Sequence, residues 1–295
     1  MGHLDHFSHG LLTPAFGYLV MTMAAAIGLR CTVRALNTTG SSRRNWLLVG
    51  STAIGSGIWT LHFIAMLGFG VIGSSVRYNV PLTLLSLVLA ILVVGMGIFI
   101  VGYGRSRTLS LMFGGLGMGL GVATMHYSGM AAVQVNGAIE YNSGLVLLSV
   151  LIAITAATAA LWLVLTIQGL SGALGAALVM GLAVSTMHYT AMAAVSVQLE
   201  EGVERLAGAT AMEFIFPLSV GIGAILFVAF TVVAVSPIEE ERGEAEVAKR
   251  LESLQARRER FAQQIEDQIT ASERHPTHRR RQNNNSTKRP TRQVT

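Results

Sequence analysis

The sequence predicts an all-α polytopic membrane protein. Seven transmembrane helices are expected, as three two-helix repeats plus a seventh span, oriented N-out and C-in. Three observations carry this: a body almost free of charge, seven stretches of spanning length, and a segment that recurs three times. Of the 295 residues, 52% are hydrophobic and 13% charged, against about 25% charged in an average soluble protein. Residues 1–237 hold eight Arg, one Asp and five Glu, whereas the last 58 residues hold 13 Lys or Arg and 10 Asp or Glu. A soluble enzyme is excluded for the body, because nothing there could coat its surface. A secreted disulfide scaffold is excluded by the single cysteine, Cys31. The sequence pI near 9.8 reflects the tail and short loops, so no nucleic-acid partner is expected.

A helix needs about 20 mostly apolar residues to cross the hydrocarbon core. Seven segments qualify, at roughly 13–35, 45–68, 80–103, 108–134, 144–167, 172–198 and 212–235. Punctuation falls near their ends, at Pro14, Arg44, Pro81, Arg107, Gly144, Gly172, Pro217 and Pro237. Direction follows from basic residues in short loops. Arg30, Arg34, Arg43 and Arg44 lie in or near the first connection, and Arg105 and Arg107 in the third. The alternate side has Arg77, Glu140, Glu200, Glu201, Glu204 and Arg205. The tail, with 13 basic residues, is therefore expected in the cytoplasm. Small-xxx-small pairs at Ser51/Gly55, Gly117/Gly121, Ala177/Gly181 and Ser219/Gly223 read as packing faces.

Three segments read almost alike: GSGIWTLHFIAM (55–66), GLGVATMHYSGM (119–130) and GLAVSTMHYTAM (181–192). Each has Gly seven residues before its histidine (Gly55, Gly119, Gly181) and Thr two before (Thr60, Thr124, Thr186). Each has an aromatic next (Phe63, Tyr127, Tyr189) and Met four later (Met66, Met130, Met192). The histidines His62, His126 and His188 recur at the spacing of one helix pair. They fall on spans two, four and six, about 17–19 residues in, which at about 1.5 Å per residue puts all three at one depth near the outer face.

MHYSGM and MHYTAM resemble the signature of the MHYT domain, a bacterial integral-membrane module. The resemblance covers residues 1 to about 237. It implies a stand-alone sensor in the bacterial plasma membrane, detecting a diatomic gas (oxygen, CO or NO) or a redox or copper state through bound copper. Larger members carry cyclic-di-GMP synthesis or hydrolysis domains after the membrane part. With a 58-residue tail here, no such enzyme is expected. The first copy departs from the signature, with Leu61 for the leading Met and Phe63 for Tyr.

The residues support soft-metal chemistry on their own terms. His and Met four apart share one helix face. An ionisable side chain in hydrocarbon is costly and marks function. Thioether selects Cu(I), and imidazole suits both copper states. The expected metal set is His62, His126 and His188 with Met66, Met130 and Met192. Met125 and Met187 would form a second site or line the core, and Tyr127 and Tyr189 would orient ligands or take part in redox chemistry. Phe63→Tyr is expected to be tolerated. A metal-free polar cluster and haem ligation remain open. His3, His6 and His9, with Asp5, form either a metal-capturing arm or a solvated terminus. The body has no lysine, which excludes a retinal Schiff base, and no catalytic motif, so no enzyme is expected.

The expected organisation is a membrane domain over 1–237, a charged juxtamembrane helix over 238–270 and a disordered basic tail over 271–295, with Arg279 to Arg281 near anionic lipid. Val247, Leu251, Leu254, Phe261 and Ile265 follow heptad spacing, with Arg258 interrupting. The bilayer is the expected partner, with a cytoplasmic signalling partner or a second copy of the chain at the tail. Rival readings are a copper-handling or transport protein, a bis-histidine haem electron-transfer protein and a membrane anchor.

Overall fold

The computed structural model describes residues 4–5, 10–166, 169–200, 206–235 and 239–273. His3, His6 and His9, Glu201, Glu204 and Arg205, Pro237 and residues 274–295 lie outside them. Residues Met1–Pro237 and Ile238–Thr295 form two compact units.

Among the described residues of the first unit, seven helices are long and apolar enough to span a membrane. They are α1 (Leu12–Leu36), α2 (Gly40–Met66), α3 (Val80–Tyr103), α4 (Arg107–Ala131), α5 (Ser143–Thr166), α6 (Gly169–Ala193) and α7 (Phe216–Val235). A π turn, Ala211–Ile215, leads into α7. The helix ends follow local chemistry. The Asn79 side chain accepts from Leu82 N–H with Pro81 in the first turn of α3, and Asn142 Oδ1 accepts from Gly144 and Leu145 N–H at α5. Arg43 Nε donates to the carbonyls of Ala35 and Thr38, satisfying the end of α1.

Two spans are shorter than the sequence suggested. α4 ends at Ala131 rather than near 134, and α6 at Ala193 rather than near 198. The chain turns to strand there, because Val195-Ser-Val-Gln-Leu199 alternates at period two and buries Val195 and Val197. Among the described residues there are six short strands: β1 (Leu4–Asp5), β2 (Gly70–Val71), β3 (Arg77–Tyr78), β4 (Val133–Gln134), β5 (Gly137–Tyr141) and β6 (Val195–Leu199). They pair antiparallel as β1–β2, β3–β4 and β5–β6. The β3–β4 and β5–β6 ribbons tie together the connections that follow the three histidine helices, and β1–β2 pairs residues before α1 with the first of these connections. Main-chain bonds repeat the tie, since Asn79 N–H donates to Ala132 C=O and Asn142 N–H to Ala194 C=O.

Helices α1 to α6 form a closed ring in chain order, with α6 against α1, and α7 packs outside on α1 and α2. The repeat glycine explains how the ring closes. A Cβ on Gly55 would lie 2.6 Å from Ile91 Cα of α3, and one on Gly119 would strike Ile154 Cα of α5. One on Gly181 would lie 2.7 Å from Thr22 Oγ1 of α1. Each histidine helix thus meets the next helix of the ring through its glycine. Gly117 is a correction to the packing-face reading, because nothing lies within 4 Å of a Cβ there. Gly115 and Gly119 make the close approaches instead, to Thr158 and Ile154.

The ring is threefold in plan but not in surroundings. Thr124 and Thr186 are exposed, and each hydroxyl donates to the carbonyl four residues back. Thr60 is fully buried. It lies on the α2 face between Ala53 and Ile64, which share a cluster with Leu226 of α7. The outer surface of the helix bundle is apolar, with Leu92 62% and Ile225 71% exposed. That is the surface of a bundle solvated by lipid rather than water.

The glycine contacts predict a contrast within one helix. Gly119→Ala forces main chain against main chain and should lower unfolding stability by about 1–3 kcal/mol. Gly117→Ala meets open space and should be neutral or gain up to about 1 kcal/mol from helix propensity. Thermal unfolding of both variants in detergent checks this, and equal effects would remove the packing role from the repeat glycine.

Candidate metal centre

The histidine helices run in one direction, and each histidine comes about one turn before its helix ends. Ring closure therefore brings equal depths to one point. His62 Nδ1 lies 3.1 Å from His188 Nδ1 and 3.2 Å from His126 Nδ1. One ring nitrogen from each residue falls within 4.8 Å of the other two. Ring centroids are 4.8, 5.0 and 5.2 Å apart, with planes near perpendicular. All three side chains are at most 2% exposed. Among the described residues this is the cluster of His, Cys, Asp or Glu able to hold a metal ion. The Nε2 atoms of His62 and His126 are buried without a hydrogen-bond partner. Three imidazoles this close cannot all satisfy one another, because each neutral ring offers one donor and one acceptor.

Each ring is backed by the aromatic that follows it. Phe63 meets His62 at 4.5 Å, Tyr127 meets His126 at 4.9 Å and Tyr189 meets His188 at 5.0 Å, all edge-on. The Tyr127 hydroxyl is 2.8 Å from Ser149 Oγ. Ser149 Oγ donates to Val146 C=O, so the phenol donates to the serine and its ring is fixed beside His126. Phe63 packs on Trp59 and Tyr78, and Trp59 Nε1 donates to Ser86 Oγ and Thr83 C=O. Tyr78 Oη donates to Met66 C=O at 3.3 Å. Burial pushes the Tyr78 phenol above its ordinary pKa, which keeps it a neutral donor.

The structure brings the three histidines together. Met66, Met130 and Met192 are buried in the same core a turn further out. Met187 lines an apolar cavity of about 10 Å³ with Ile58, Met118, Val122, Met180 and Val184. Ile58, Val122 and Val184 each lie one turn inward of a histidine. Met125 is also buried in the core.

Sequence reasoning missed Gly129. A Cβ there would lie 2.7 Å from His62 Nε2, so the glycine makes room for a ring from another helix. The signal was present, since Gly129 stands where the other copies have Ala65 and Ala191. Trp59, Tyr78 and Ser149 were also missed, because they act through contacts that no spacing rule connects to the motif.

Residues 55–114 and 119–177 match the family model MHYT, described as a bacterial signalling protein N-terminal repeat. The chain carries MHYT repeats. Both matched segments begin on a repeat glycine, Gly55 and Gly119, and the third copy begins on Gly181. The chain is 38% identical over 192 residues, 63% of its length, to the bifunctional diguanylate cyclase/cyclic di-GMP phosphodiesterase MucR of Pseudomonas aeruginosa, covering 28% of that protein. It is 36% identical over 194 residues to the cyclic di-GMP phosphodiesterase NbdA of the same organism, covering 24% of it. It is 28% identical over 207 residues to the signaling protein YkoW of Bacillus subtilis, covering 24% of it. The chain thus spans about a quarter of the length of these relatives. No solved structure matches it. The MHYT chain is a multi-pass plasma-membrane protein, and its MHYT region is a signalling membrane sensor domain.

The packing around His62 sharpens one expectation. Phe63 is fully buried between Trp59 and Tyr78. A phenol there buries a hydroxyl among rings, at a cost of about 1–3 kcal/mol if it finds no partner. Phe63→Tyr should therefore destabilise the protein, against the tolerance expected from sequence. Thermal unfolding beside Tyr127→Phe, which loses one hydrogen bond worth about 1 kcal/mol, provides the scale.

Proposed function

We propose that the chain is a membrane signal sensor whose input is one copper ion shared by His62, His126 and His188, responding to redox or copper state or to a diatomic gas. The supporting observation is that His62 Nδ1 lies 3.1 Å from His188 Nδ1 and 3.2 Å from His126 Nδ1, with one ring nitrogen of each residue within 4.8 Å of the other two. Nitrogen ligands about 2.0–2.1 Å from a tetrahedral metal stand about 3.3–3.4 Å apart, so small ring adjustments fit this set to a metal. The group would supply a redox-active, ligand-accepting centre. The chain's own residues hold three neutral nitrogens, orient them by the aromatics at 63, 127 and 189, and exclude water by burial.

The charge of the ion follows from the setting. Among the described residues no carboxylate joins the cluster. Burying an ion away from countercharge is expensive, and the cost grows with the square of its charge. Neutral donors in an apolar core therefore favour Cu(I) over a divalent ion. Met66, Met130 and Met192 add soft donors on the same helices. Haem fits less well, because rings in mutual contact leave no slot for a macrocycle. A second reading, copper handling, draws support from Met118, Met180 and Met187 around the inward cavity. The apolar layer of Ile58, Val122 and Val184 opposes it, since no polar ladder continues inward.

We infer N-out, C-in orientation from the arginines. Arg43, Arg44 and Arg105 lie at the end of the bundle opposite the histidines. Cytoplasmic reporters fused after residue 240 should be active and periplasmic ones silent, and the reverse pattern would place the histidines at the cytoplasmic face.

One shared centre makes a stoichiometric prediction. His62→Ala, His126→Ala and His188→Ala should each remove most of the bound copper, and a double variant little more, because members of one network couple. Independent sites would lose about a third per histidine, additively, by the same rule. Copper analysis of the purified protein under reducing conditions decides, and unchanged copper in every variant ends the metal reading.

A further inference from the structure

The second unit contains a 35-residue helix, α8 (Glu239–Glu273), about 52 Å long at 1.5 Å per residue. It carries an exposed apolar stripe. Val247, Leu251, Leu254, Phe261, Ile265 and Ile269 are 46–66% exposed. Steps of four, three, seven and four from Val247 to Ile265 place these on d and a positions of a heptad, with Arg258 at the one interrupted a position. Ile269 falls beside them at an e position.

We propose that α8 is a self-pairing surface whose occupant is α8 of a second copy of this chain, parallel and in register. Two observations choose this occupant over a merely apolar one. The first is the distribution of charge about the stripe. Arg250 and Arg257 occupy g positions on one flank, whereas Glu252, Glu259 and Glu266 occupy b positions beyond the other flank. In a parallel pair the g flank of one helix meets the e and b side of its partner. Arg257 then faces Ala262 of the second copy, small enough for the guanidinium to reach over it toward Glu259 or Glu266 there. In an antiparallel pair the g flanks face each other and set Arg250 against Arg257, a like-charge contact.

The second observation is Arg258. A single cation at an a position costs stability but fixes register and favours two strands, because its stem packs while its head reaches water. A sliding or higher-order assembly would bury that charge. The stripe spans about three heptads, short for a strong coiled coil, so pairing of moderate strength is expected, open to adjustment by the membrane unit of each copy.

The test uses the full chain in membranes, with Cys31→Ala removing the native cysteine. Val247→Cys, Leu254→Cys and Phe261→Cys should each cross-link to the same position of a second chain with a short bifunctional maleimide, while Ala256→Cys on the opposite face should not. Cross-linking at 254 without 247 and 261 would mean an antiparallel pair and overturns the proposal. So would equal yields at 254 and 256, or none at any position. Arg250→Glu with Arg257→Glu should reduce the yield at Leu254→Cys. Mixing that chain with one carrying Glu252→Arg, Glu259→Arg and Glu266→Arg should restore it as a heterodimer. An unchanged yield in the first variant would overturn the charge argument and with it the choice of a parallel pair. These readouts do not depend on copper, so they stand or fall apart from the metal reading.

Discussion

Three imidazoles held in contact inside an apolar bundle are the constraint on which the rest of the membrane unit turns. A neutral ring has one donor and one acceptor, and desolvation penalises each nitrogen that is left without a partner. His62 and His126 leave such nitrogens buried. The surrounding structure must supply the energy that keeps them there. Edge-on aromatics back each ring, Gly129 clears space for His62, and the strand ribbons tie the chain ends just beyond the site. None of these elements is long or strong alone. Together they fix three side chains from three helices at one depth.

The internal repeat makes this economical, and α7 shows where repetition stops. One glycine in each copy sets the approach of a histidine helix to its neighbour, so the same local sequence builds three similar corners of the ring. The seventh helix then packs chiefly on α1 and α2. Thr60 loses its lipid exposure as a result, while Thr124 and Thr186 keep theirs. The first copy also carries Phe63 instead of tyrosine, fully buried and packed on Trp59 and Tyr78. Sequence and environment therefore differ in the same copy.

Much of this was legible in the chain because membrane physics limits the choices. Apolar length gives helices, and a fixed spacing on helices running one way gives a common depth. The convergence of His62, His126 and His188 was consistent with that reading but needed the ring to become a distance. The ribbons were hidden because strands of two to five residues pair across the repeats, and Val195 to Leu199 were absorbed into an apolar run. The position of α7 depends on shape complementarity that no spacing encodes. Gly129 was visible only as the odd residue out at its motif position, and its meaning required the ring from α2.

The ring also limits how anything at the triad can be felt elsewhere. The histidine helices α2, α4 and α6 approach one another much less than they approach their neighbours in the ring. The imidazoles, with the ribbons just beyond them, link these helices, and a change in nitrogen spacing acts on that link directly. Gly55 holds α2 against the main chain of α3, and Gly119 holds α4 against that of α5. A close-packed contact of this kind resists compression, so these helices must shift as pairs. Movement confined to one side chain is opposed by the aromatic behind it. The apolar layer of Ile58, Val122 and Val184 offers no polar group to relay charge inward. What remains is displacement of helix pairs, a shear of packed elements. On the proposed reading, a stimulus bound at the triad, where three pairs meet, would drive such a displacement only by binding the two arrangements with different strength.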